Sequence, residues 1–352
     1  MDEVRDIAGI SVPFAAGVAA GTSLAMAAGS VALLAIVCAA AAVGLARDMP
    51  RRGYSVMFFF AGMFCAAASS ACPWHDAGSA GPARRACAAL KEVIDRIPFE
   101  REETGALLKA LMTGDRSSLS KETVAVFRAS GASHILALSG LHLGFIYLFI
   151  SKVFTILGNS PVSRKARCFC IIAGAGFYTL MTGAGPSIVR AFLFITIREI
   201  SKISSGRTLE PGRTLLLCLT IQLALKPSVI TGVGFQLSYL AMCGIIFLLP
   251  VLQEWYPQGP KWDPMRYLWN AAALAISCQI FTAPVSWMKF HTFPRYFLIT
   301  NITALPLTSA MMMLSIVAVV LSALGICPEA LVSVLEACIG LLVRLLELIS
   351  MM

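Results

Sequence analysis

The chain has 352 residues, of which 58% are hydrophobic and only 13% are charged, and its formal net charge is +9. A soluble globular domain carries about 25% charged residues, so the composition excludes an ordinary soluble protein. Several stretches contain no Asp, Glu, Lys or Arg, and about 20 apolar residues are enough to cross the hydrocarbon core of a bilayer. These stretches include Ser11–Ala46, Tyr54–His75, Cys168–Val189, Pro227–Gln253, Tyr267–Met288 and Tyr296–Pro328. The sequence therefore predicts an all-α polytopic integral membrane protein with about 10–11 transmembrane helices, some of them broken, and short amphipathic surface helices.

Residues 1–75 are predicted to form the N-terminal transmembrane helices. Ser11–Ala46 is long enough for two short helices that turn near Ala28–Ser30, and one tilted helix is the alternative. The acidic start of the chain and the length of the apolar run after it do not fit a signal peptide.

Residues 76–133 contain nine Lys or Arg and eight Asp or Glu, and they are predicted to be an extracytoplasmic amphipathic helical segment. Apolar residues recur at helical spacing in three stretches of this segment. Two positions stay open for these helices: the outer surface of the membrane, or an external domain that packs only against itself.

Basic residues predict how the chain is threaded through the membrane. Three short stretches are rich in Lys and Arg, at residues 47–52, 164–167 and 198–213. Short cytoplasmic loops carry an excess of these residues, and one alternation of spans puts all three stretches in the cytoplasm. The sequence therefore predicts a multi-pass protein whose remaining part, residues 134–352, is largely transmembrane.

Polar and small residues interrupt an apolar run in the stretch HILALSGLHLGF, at residues 134–145. Ser139 and His142 are three residues apart, so on one continuous helix they would share a face. Gly140 and Gly144 form a GxxxG pair, which allows another helix to approach closely. Ordinary helix packing is the alternative explanation for both glycines.

Other polar interruptions occur later in the chain. In GAGPSIVRAF, Gly and Pro are expected to break a helix, and Arg190 follows within a turn of its restart; GVGFQLSYL carries Gln236 and Ser238. An ionisable group at the centre of a membrane helix costs about 2.5–3.5 kcal/mol on insertion scales, so His142 and Arg190 are candidate functional residues. The alternatives are snorkelling for Arg190, a backbone hydrogen bond for Gln236 and packing for Ser238. Broken helices with polar side chains favour a water-lined passage over a solid bundle.

No catalytic residue, cofactor or metal site is predicted. The sequence contains no GxSxG, HExxH or GxxxxGK[ST] motif, and its four histidines are not spaced as metal ligands. A catalytic dyad needs the base hydrogen-bonded to the nucleophile and usually oriented by a third group, and two side chains one turn apart on a helix, such as Ser139 and His142, rarely achieve this. The eleven cysteines are scattered and are expected to act as small hydrophobes, while a bridge between Cys72 and Cys87 stays open.

Four motifs follow one another between about Leu90 and Leu324. The longest is LLKALMTGDRSSLSKETVAVFRASGASHILALSGLHLGFI, with a Gly-Asp-Arg turn at residues 114–116 and a His-to-His run at residues 134–142. The others are GAGPSIVRAFLF, KPSVITGVGFQLSYLAMCGI and NITALPL. In content and order these motifs resemble the competence domain of the ComEC family, the inner-membrane DNA channels of natural transformation.

The resemblance implies that the protein is an inner-membrane channel component, not an enzyme, through which single-stranded DNA passes into the cytoplasm. Residues 134–352 would then be a competence-type transmembrane channel domain. Gly140 and Gly144 would pack helices, and Arg190 is the side chain expected to meet phosphate. The DNA-binding or channel-lining residues that the resemblance carries over are Asp115, Arg116, His134, Ser139, His142, Arg190, Gln236 and Ser238.

Many members of this family also contain an oligonucleotide-binding β-barrel and a metallo-β-lactamase-like nuclease domain, and we expect neither here. The partners implied are single-stranded DNA, a surface DNA receptor, a cytoplasmic helicase-like motor, a separate nuclease and the lipid bilayer, with a homo-oligomer left open. The alternative is a reduced relative that acts as a membrane scaffold or as a transporter of another solute.

Overall fold

The computed structural model describes residues 2–23, 50–71, 81–156, 160–257, 263–291 and 296–351, and within these ranges every regular element is helical. The α-helices are α1 (Asp2–Ser23), α2 (Pro50–Ala71), α3 (Pro82–Asp95), α4 (Glu102–Thr113), α5 (Lys121–Ala129), α6 (Ser133–Leu136), α7 (Gly140–Ile156), α8 (Pro161–Met181), α9 (Pro186–Ser205), α10 (Pro211–Leu225), α11 (Val233–Cys243), α12 (Leu249–Glu254), α13 (Pro264–Phe290), α14 (Phe297–Ala323) and α15 (Glu329–Ser350). The prediction of an all-α membrane protein is confirmed.

Three helical stretches of the described residues are long and apolar enough to cross a bilayer. They are Val233–Glu254, Pro264–Phe290 and Phe297–Ala323. The first joins α11 to α12 through a π-helical turn at Gly244–Leu248, where a Cβ on Gly244 would overlap the backbone oxygen of Ser277 in α13. Tyr54–Ser70, Gly140–Phe154 and Pro211–Leu225 are shorter apolar helices. The number of spans stays a prediction.

Two sequence predictions fall outside the described residues. The turn near Ala28–Ser30 lies between α1 and α2, and Cys72 lies just after α2. The two-helix arrangement and the bridge from Cys72 to Cys87 therefore both stay open.

The contacts divide the chain into two units, and neither unit is continuous in sequence. One contains Met1–Ala77 and Leu193–Tyr239, and the other contains Gly78–Phe192 and Leu240–Met352. The predicted boundaries after residues 75 and 133 concern position relative to the membrane, which these contacts do not test, so they stay predictions.

In the first unit, glycines bring α1 and α2 into backbone contact. A Cβ on Gly17 would overlap the carbonyl oxygen of Phe59, and a Cβ on Gly62 would overlap that of Phe14. Small residues allow this approach, and close packing stabilises a helix pair in lipid, where the hydrophobic effect does not. The hydroxyl of Thr220 in α10 donates to Ser11 of α1 at 2.9 Å.

In the second unit, the amphipathic helices share one core with the last two helices. Leu108 of α4 and Phe127 of α5 are fully buried in the same apolar cluster as Met311 of α14 and Leu335 of α15. Their apolar residues recur every three or four positions, so each helix turns one stripe towards this core. The segment at residues 81–133 therefore does not pack only against itself.

Two hydrogen bonds fix α14 along this segment. The Thr300 hydroxyl donates to the carbonyl oxygen of Ser130 at 2.7 Å, and the Ser322 hydroxyl donates to that of Val93 at 3.2 Å. Thr300 and Ser322 are 22 residues apart, which is about 33 Å along an α-helix. The segment therefore follows most of the length of α14.

Candidate functional site

The Gly-Asp-Arg turn begins where α4 ends. Gly114 has φ 78°, in the left-handed region, and a Cβ at this position would also overlap the Leu138 side chain. Glycine is the residue that adopts this conformation without a steric cost. The turn therefore places Asp115 and Arg116 beside the stretch that precedes α7.

Asp115 is held as an anion by two donors. Its carboxylate accepts a hydrogen bond from the ammonium group of Lys91 in α3, and its Oδ1 accepts another from the N–H of Ser117 at 3.0 Å. The bond from Lys91, followed by the bonds from Ser117, lowers the pKa of the Asp115 carboxyl below its ordinary value. Lys91 is a residue that the sequence analysis missed, because nothing in the local pattern pairs positions 91 and 115.

Arg116 binds the end of a short helix. Its Nη2 donates to the carbonyl oxygen of Leu136 at 2.8 Å, and Leu136 is the last residue of α6. The final carbonyls of a helix have no partner within the helix, so this bond satisfies one of them. Arg116 is exposed, and a guanidinium group has five N–H donors, so donors other than the one bonded to Leu136 can face solvent.

A break in the chain separates α6 from α7. Ala137 is extended, with ψ 130°, and Ser139 precedes the first residue of α7. The Ser139 hydroxyl accepts from the N–H of Leu141 at 3.2 Å, and Nδ1 of His142 accepts from the N–H of Ser139 at 3.2 Å. This arrangement is a variant of the capping box: histidine takes the place of the usual Glu or Gln, and the Ser139 hydroxyl accepts from the second helical N–H and not from the third. The spacing predicted one continuous helix, but Ser139 caps α7 from outside it. The two side chains are nevertheless in contact, because the Ser139 hydroxyl lies 3.1 Å from Nδ1 of His142.

His142 is 2% exposed, and its Nε2 has no hydrogen-bond partner among the described residues. Because Nδ1 acts as an acceptor, a neutral ring carries its proton on Nε2. A buried N–H donor without a partner is costly, so it marks a place that a ligand or water can satisfy.

Gly140 lies against α9. A Cβ on Gly140 would stand 3.1 Å from the Cβ of Ala191 and 3.7 Å from Nη2 of Arg190. The guanidinium group of Arg190, which is half-buried, therefore lies at the start of α7. A Cβ on Gly144 would meet no described atom within 4 Å, so glycine there makes no close contact in this part of the structure.

The polar break before Arg190 has strained backbone. Gly183 and Ala184 have φ 84° and 51° between α8 and α9, and the N–H of Ala184 donates to the carbonyl oxygen of Thr179 at 2.8 Å. A non-glycine residue in this region costs about 1–2 kcal/mol. The sequence analysis placed a helix break here on the Gly and Pro residues, and the described chain ends α8 at Met181 and begins α9 at Pro186.

The remaining predicted site residues are His134 of α6 and, in the other unit, Gln236 and Ser238 of α11. His134 is exposed, and its Nδ1 lies 3.1 Å from the carbonyl oxygen of Gly131. Gln236 and Ser238 are in α11 and belong to the other unit, where Nε2 of Gln236 donates to the carbonyl oxygen of Ile230 at 2.9 Å. The structure thus brings together Ser139, Gly140, His142 and Arg190, with Asp115 and Arg116 joined to the same break through Leu136 and Leu138. We call these six residues the α7 cluster.

A buried tyrosine also fixes the turn. Tyr178 of α8 donates its hydroxyl to the carbonyl oxygen of Met112 at 2.8 Å, just before the Gly-Asp-Arg turn. Sequence reasoning missed it, although a tyrosine inside an apolar run needs a partner for its hydroxyl. No group of three or more His, Cys, Asp or Glu side chains placed to hold a metal ion occurs among the described residues.

A sequence profile of the competence family, described as Competence protein, matches residues 111–352. Uncharacterized protein YcaI of Escherichia coli strain K12 is 26% identical over 229 residues, which are 63% of this chain and 29% of that protein. ComE operon protein 3 of Bacillus subtilis strain 168 is 24% identical over 54% of this chain and 23% of its own length. Competence protein ComA of Neisseria gonorrhoeae is 27% identical over 175 residues, which are 48% of this chain and 25% of that protein. The chain thus spans less than a third of each of these relatives, and no solved structure matches it.

Proposed function

Because the chain belongs to the Competence protein family, we propose that it is a multi-pass component of the cytoplasmic (inner) membrane through which single-stranded DNA enters the cell during natural transformation. One of its relatives, Competence protein ComA of Neisseria gonorrhoeae, is named for competence. A cytoplasmic helicase-like motor pulls the strand, a surface receptor delivers it, and a separate nuclease removes its complement. The chain itself binds and guides the strand and does no chemistry.

One observation carries this proposal: a charged segment packs along the most apolar of the candidate spans. The segment at residues 76–133 has nine basic and eight acidic residues, and its contacts with α14 extend over about 33 Å. The hydrocarbon core of a bilayer is about 30 Å thick. If α14 crosses it, the charged faces of α3–α5 lie at membrane depth, where such side chains are stable only beside water. A water-filled passage bounded by α3–α5 follows, open to the extracytoplasmic side.

The α7 cluster supplies donors that suit a polyanion. Arg190 and Arg116 present guanidinium groups, which bind phosphate oxygens with two parallel hydrogen bonds. The buried Nε2–H of His142 is a further donor that phosphate or its bound water can satisfy. Asp115 repels phosphate, and its bond to Lys91 keeps that carboxylate turned to α3. Gln236 and Ser238 of the other unit are further polar side chains that we propose as DNA contacts.

The test is internalisation of labelled DNA in cells whose own gene is replaced by Arg190→Ala or by the matched control Arg198→Ala, an exposed arginine two turns further along α9. Surface-bound and internalised DNA are counted separately, and the amount of protein in the membrane is measured for each variant. We expect Arg190→Ala to lower internalisation at least about tenfold with unchanged surface binding, since a hydrogen bond to a charged group contributes about 1.5–3 kcal/mol. Intact uptake in a strain without the gene contradicts the proposal and leaves a scaffold or another transported solute.

A further inference from the structure

A second charged groove lies in the same unit, away from the α7 cluster. It has a volume of about 220 Å³ and lies between the first turn of α4, the start of α5 and the second half of α15. Hydrogen bonds hold the two sides of this groove together: the carboxylate of Glu336 in α15 accepts from the backbone N–H groups of Glu100 at 2.7 Å and Arg101 at 3.3 Å. These two bonds fix the beginning of α4 against α15.

Two arginines, Arg101 and Arg344, line this groove. Nη1 of Arg101 lies 3.9 Å from the position of a Cβ on Gly340, so the side chain crosses from α4 to α15. Arg344 follows Gly340 by four residues, and residues at this spacing have Cβ atoms about 5–6 Å apart on one helix face. Both arginines therefore project into the same part of the groove.

Two carboxylates, Glu103 and Glu347, also line the groove. Neither they nor Arg101 and Arg344 form an ion pair with any residue that the structure describes. The two glutamates balance the formal charge of the groove, but without an ion pair the guanidinium donors of both arginines are available to an anion. Thr104 adds a hydroxyl to the lining, and its residue is 4% exposed.

We propose that Arg101 and Arg344 hold one phosphodiester group of the translocating single strand, and that Glu103 and Glu347 limit how tightly it is held. The proposal rests on the proposed function, because it names a contact on the same route. A volume of 220 Å³ is below the roughly 300–1,000 Å³ of ordinary small-molecule pockets, which fits one phosphate and its ester oxygens and excludes a whole nucleotide.

Glu103 and Glu347 explain how a phosphate bound by the two arginines could be released again. A conducting site must bind favourably enough for entry and weakly enough for release. Two arginines alone would retain a polyanion, and two carboxylates at the edge of the site repel the neighbouring phosphates. The strand can therefore advance from one phosphate to the next.

The first measurement is the affinity of the purified chain in detergent for a fluorescent single-stranded oligonucleotide at several salt concentrations. The variants are Arg101→Gln with Arg344→Gln, Glu103→Gln with Glu347→Gln, and the control Arg128→Gln, an exposed arginine of α5 outside the groove. Releasing one phosphate contact lowers the slope of log K against log salt by about 0.7 for a single strand. For the Arg101→Gln, Arg344→Gln double variant we expect this smaller salt slope and about tenfold weaker binding of the oligonucleotide. The control Arg128→Gln is expected to show neither effect.

The Glu103→Gln, Glu347→Gln double variant is expected to bind the oligonucleotide more tightly than the natural chain. Binding tightens roughly two- to fivefold because a like charge is removed near the phosphate, while internalisation in cells becomes slower. A purely structural role of these side chains would not raise affinity. Helical content and elution volume of each variant show that the fold is kept.

Three results would overturn the assignment. The first is an unchanged slope of log K against log salt in the Arg101→Gln, Arg344→Gln double variant although Arg190→Ala weakens binding. The proposed function would then be kept, and the contact of these two arginines with phosphate would be rejected. The glutamate pair binds DNA more weakly than the natural chain. Vesicles of phosphatidylethanolamine displace the oligonucleotide from the natural chain but not from the arginine pair, which makes the groove a lipid headgroup site. Loss of the proposed function itself is recognised separately, by intact uptake in the gene deletion.

Discussion

The backbone N–H of Ser139 donates to Nδ1 of His142 at 3.2 Å, and together with the bond from the N–H of Leu141 to the Ser139 hydroxyl it caps the start of α7. The bond to Nδ1 fixes the orientation of the imidazole ring, so that Nε2 is the nitrogen left without a partner among the described residues. The cap and the donor are thus two consequences of one local arrangement. Substitutions that retain one and remove the other can separate them.

Ser139→Ala removes the hydroxyl that accepts from the N–H of Leu141 and that also lies 3.1 Å from Nδ1 of His142. The backbone bond from Ser139 to His142 stays in place. Loss of a cap of this kind costs about 0.5–2 kcal/mol of stability. We expect a lower thermal midpoint for the purified protein in detergent. Ser139→Asn is the matched control, since asparagine is an equally good cap residue, and its midpoint is expected to stay close to that of the natural chain. Equal losses in both variants would show that the hydroxyl acts elsewhere.

His142→Asn separates the cap from the donor in the opposite direction. The asparagine oxygen can accept the N–H of Ser139, while the buried Nε2–H disappears. We expect nearly unchanged thermal stability and a fall of about tenfold in DNA internalisation, because the lost donor is the one available to phosphate. His142→Ala removes both functions and is expected to lower stability as well. Normal internalisation by a well-folded His142→Asn variant would show that the ring serves the helix start alone.

The pair of Lys91 and Asp115 gives stability a pH dependence. The pKa of the Asp115 carboxyl is lowered from its ordinary value of 3.8 by the Lys91 bond, so its contribution is complete above that value and is lost as pH falls through the lower folded-state pKa. Both side chains are about one-third exposed, so the pair contributes at most about 1 kcal/mol. Asp115→Asn is expected to lower the unfolding free energy at pH 7 and to make a smaller difference at pH 3.

The stabilisation by the pair of Lys91 and Asp115 is also lost at high pH. Hydrogen bonding to Asp115 raises the pKa of Lys91 above its ordinary 10.5, so the contribution of Lys91 is present below that value and is lost as pH rises through the raised one. Lys91→Met with Asp115→Asn should then cost less than the sum of the two single changes. Unfolding of the four proteins in denaturant at pH 3, pH 7 and about pH 11 measures the loss of the pair at both limits and the coupling between them. Additive losses that do not change with pH would mean that the two residues act independently.

Composition and motif order predicted the fold class and the family, because hydrocarbon thickness constrains every residue of a long apolar run. Gly183 and Pro186 likewise marked a break, since glycine and proline act on the backbone of their own position. The break before Gly140 was missed, because the cap formed by Ser139 and His142 lies in an apolar run that also fits a continuous helix. The pairing of Lys91 with Asp115 could not be predicted, since it depends on how α3 packs beside the end of α4.

Gly140 and Gly144 allow a direct test of packing around α7. A Cβ on Gly140 would lie 3.1 Å from the Cβ of Ala191, and neither methyl carbon can rotate away, so α7 and α9 must separate by a few tenths of an ångström. Overpacking of this kind costs about 1–3 kcal/mol. Gly140→Ala is therefore expected to lower the thermal midpoint and also to move the Arg190 guanidinium, which lies 3.7 Å from the same position.

Gly144→Ala is the matched control four residues along the same helix. No described atom lies within 4 Å of its Cβ, and alanine favours a helix interior over glycine by about 0.8–1.0 kcal/mol, so this variant should be as stable as the natural chain or more stable. Thermal midpoints and DNA internalisation are measured for both variants, with the protein level in the membrane as the reference. A destabilising Gly144→Ala would indicate that a neighbouring helix, from this chain or from a second copy, closes on that face in the membrane. A neutral Gly140→Ala would show that α9 is free to move away, and Arg190 would then not depend on α7 for its position.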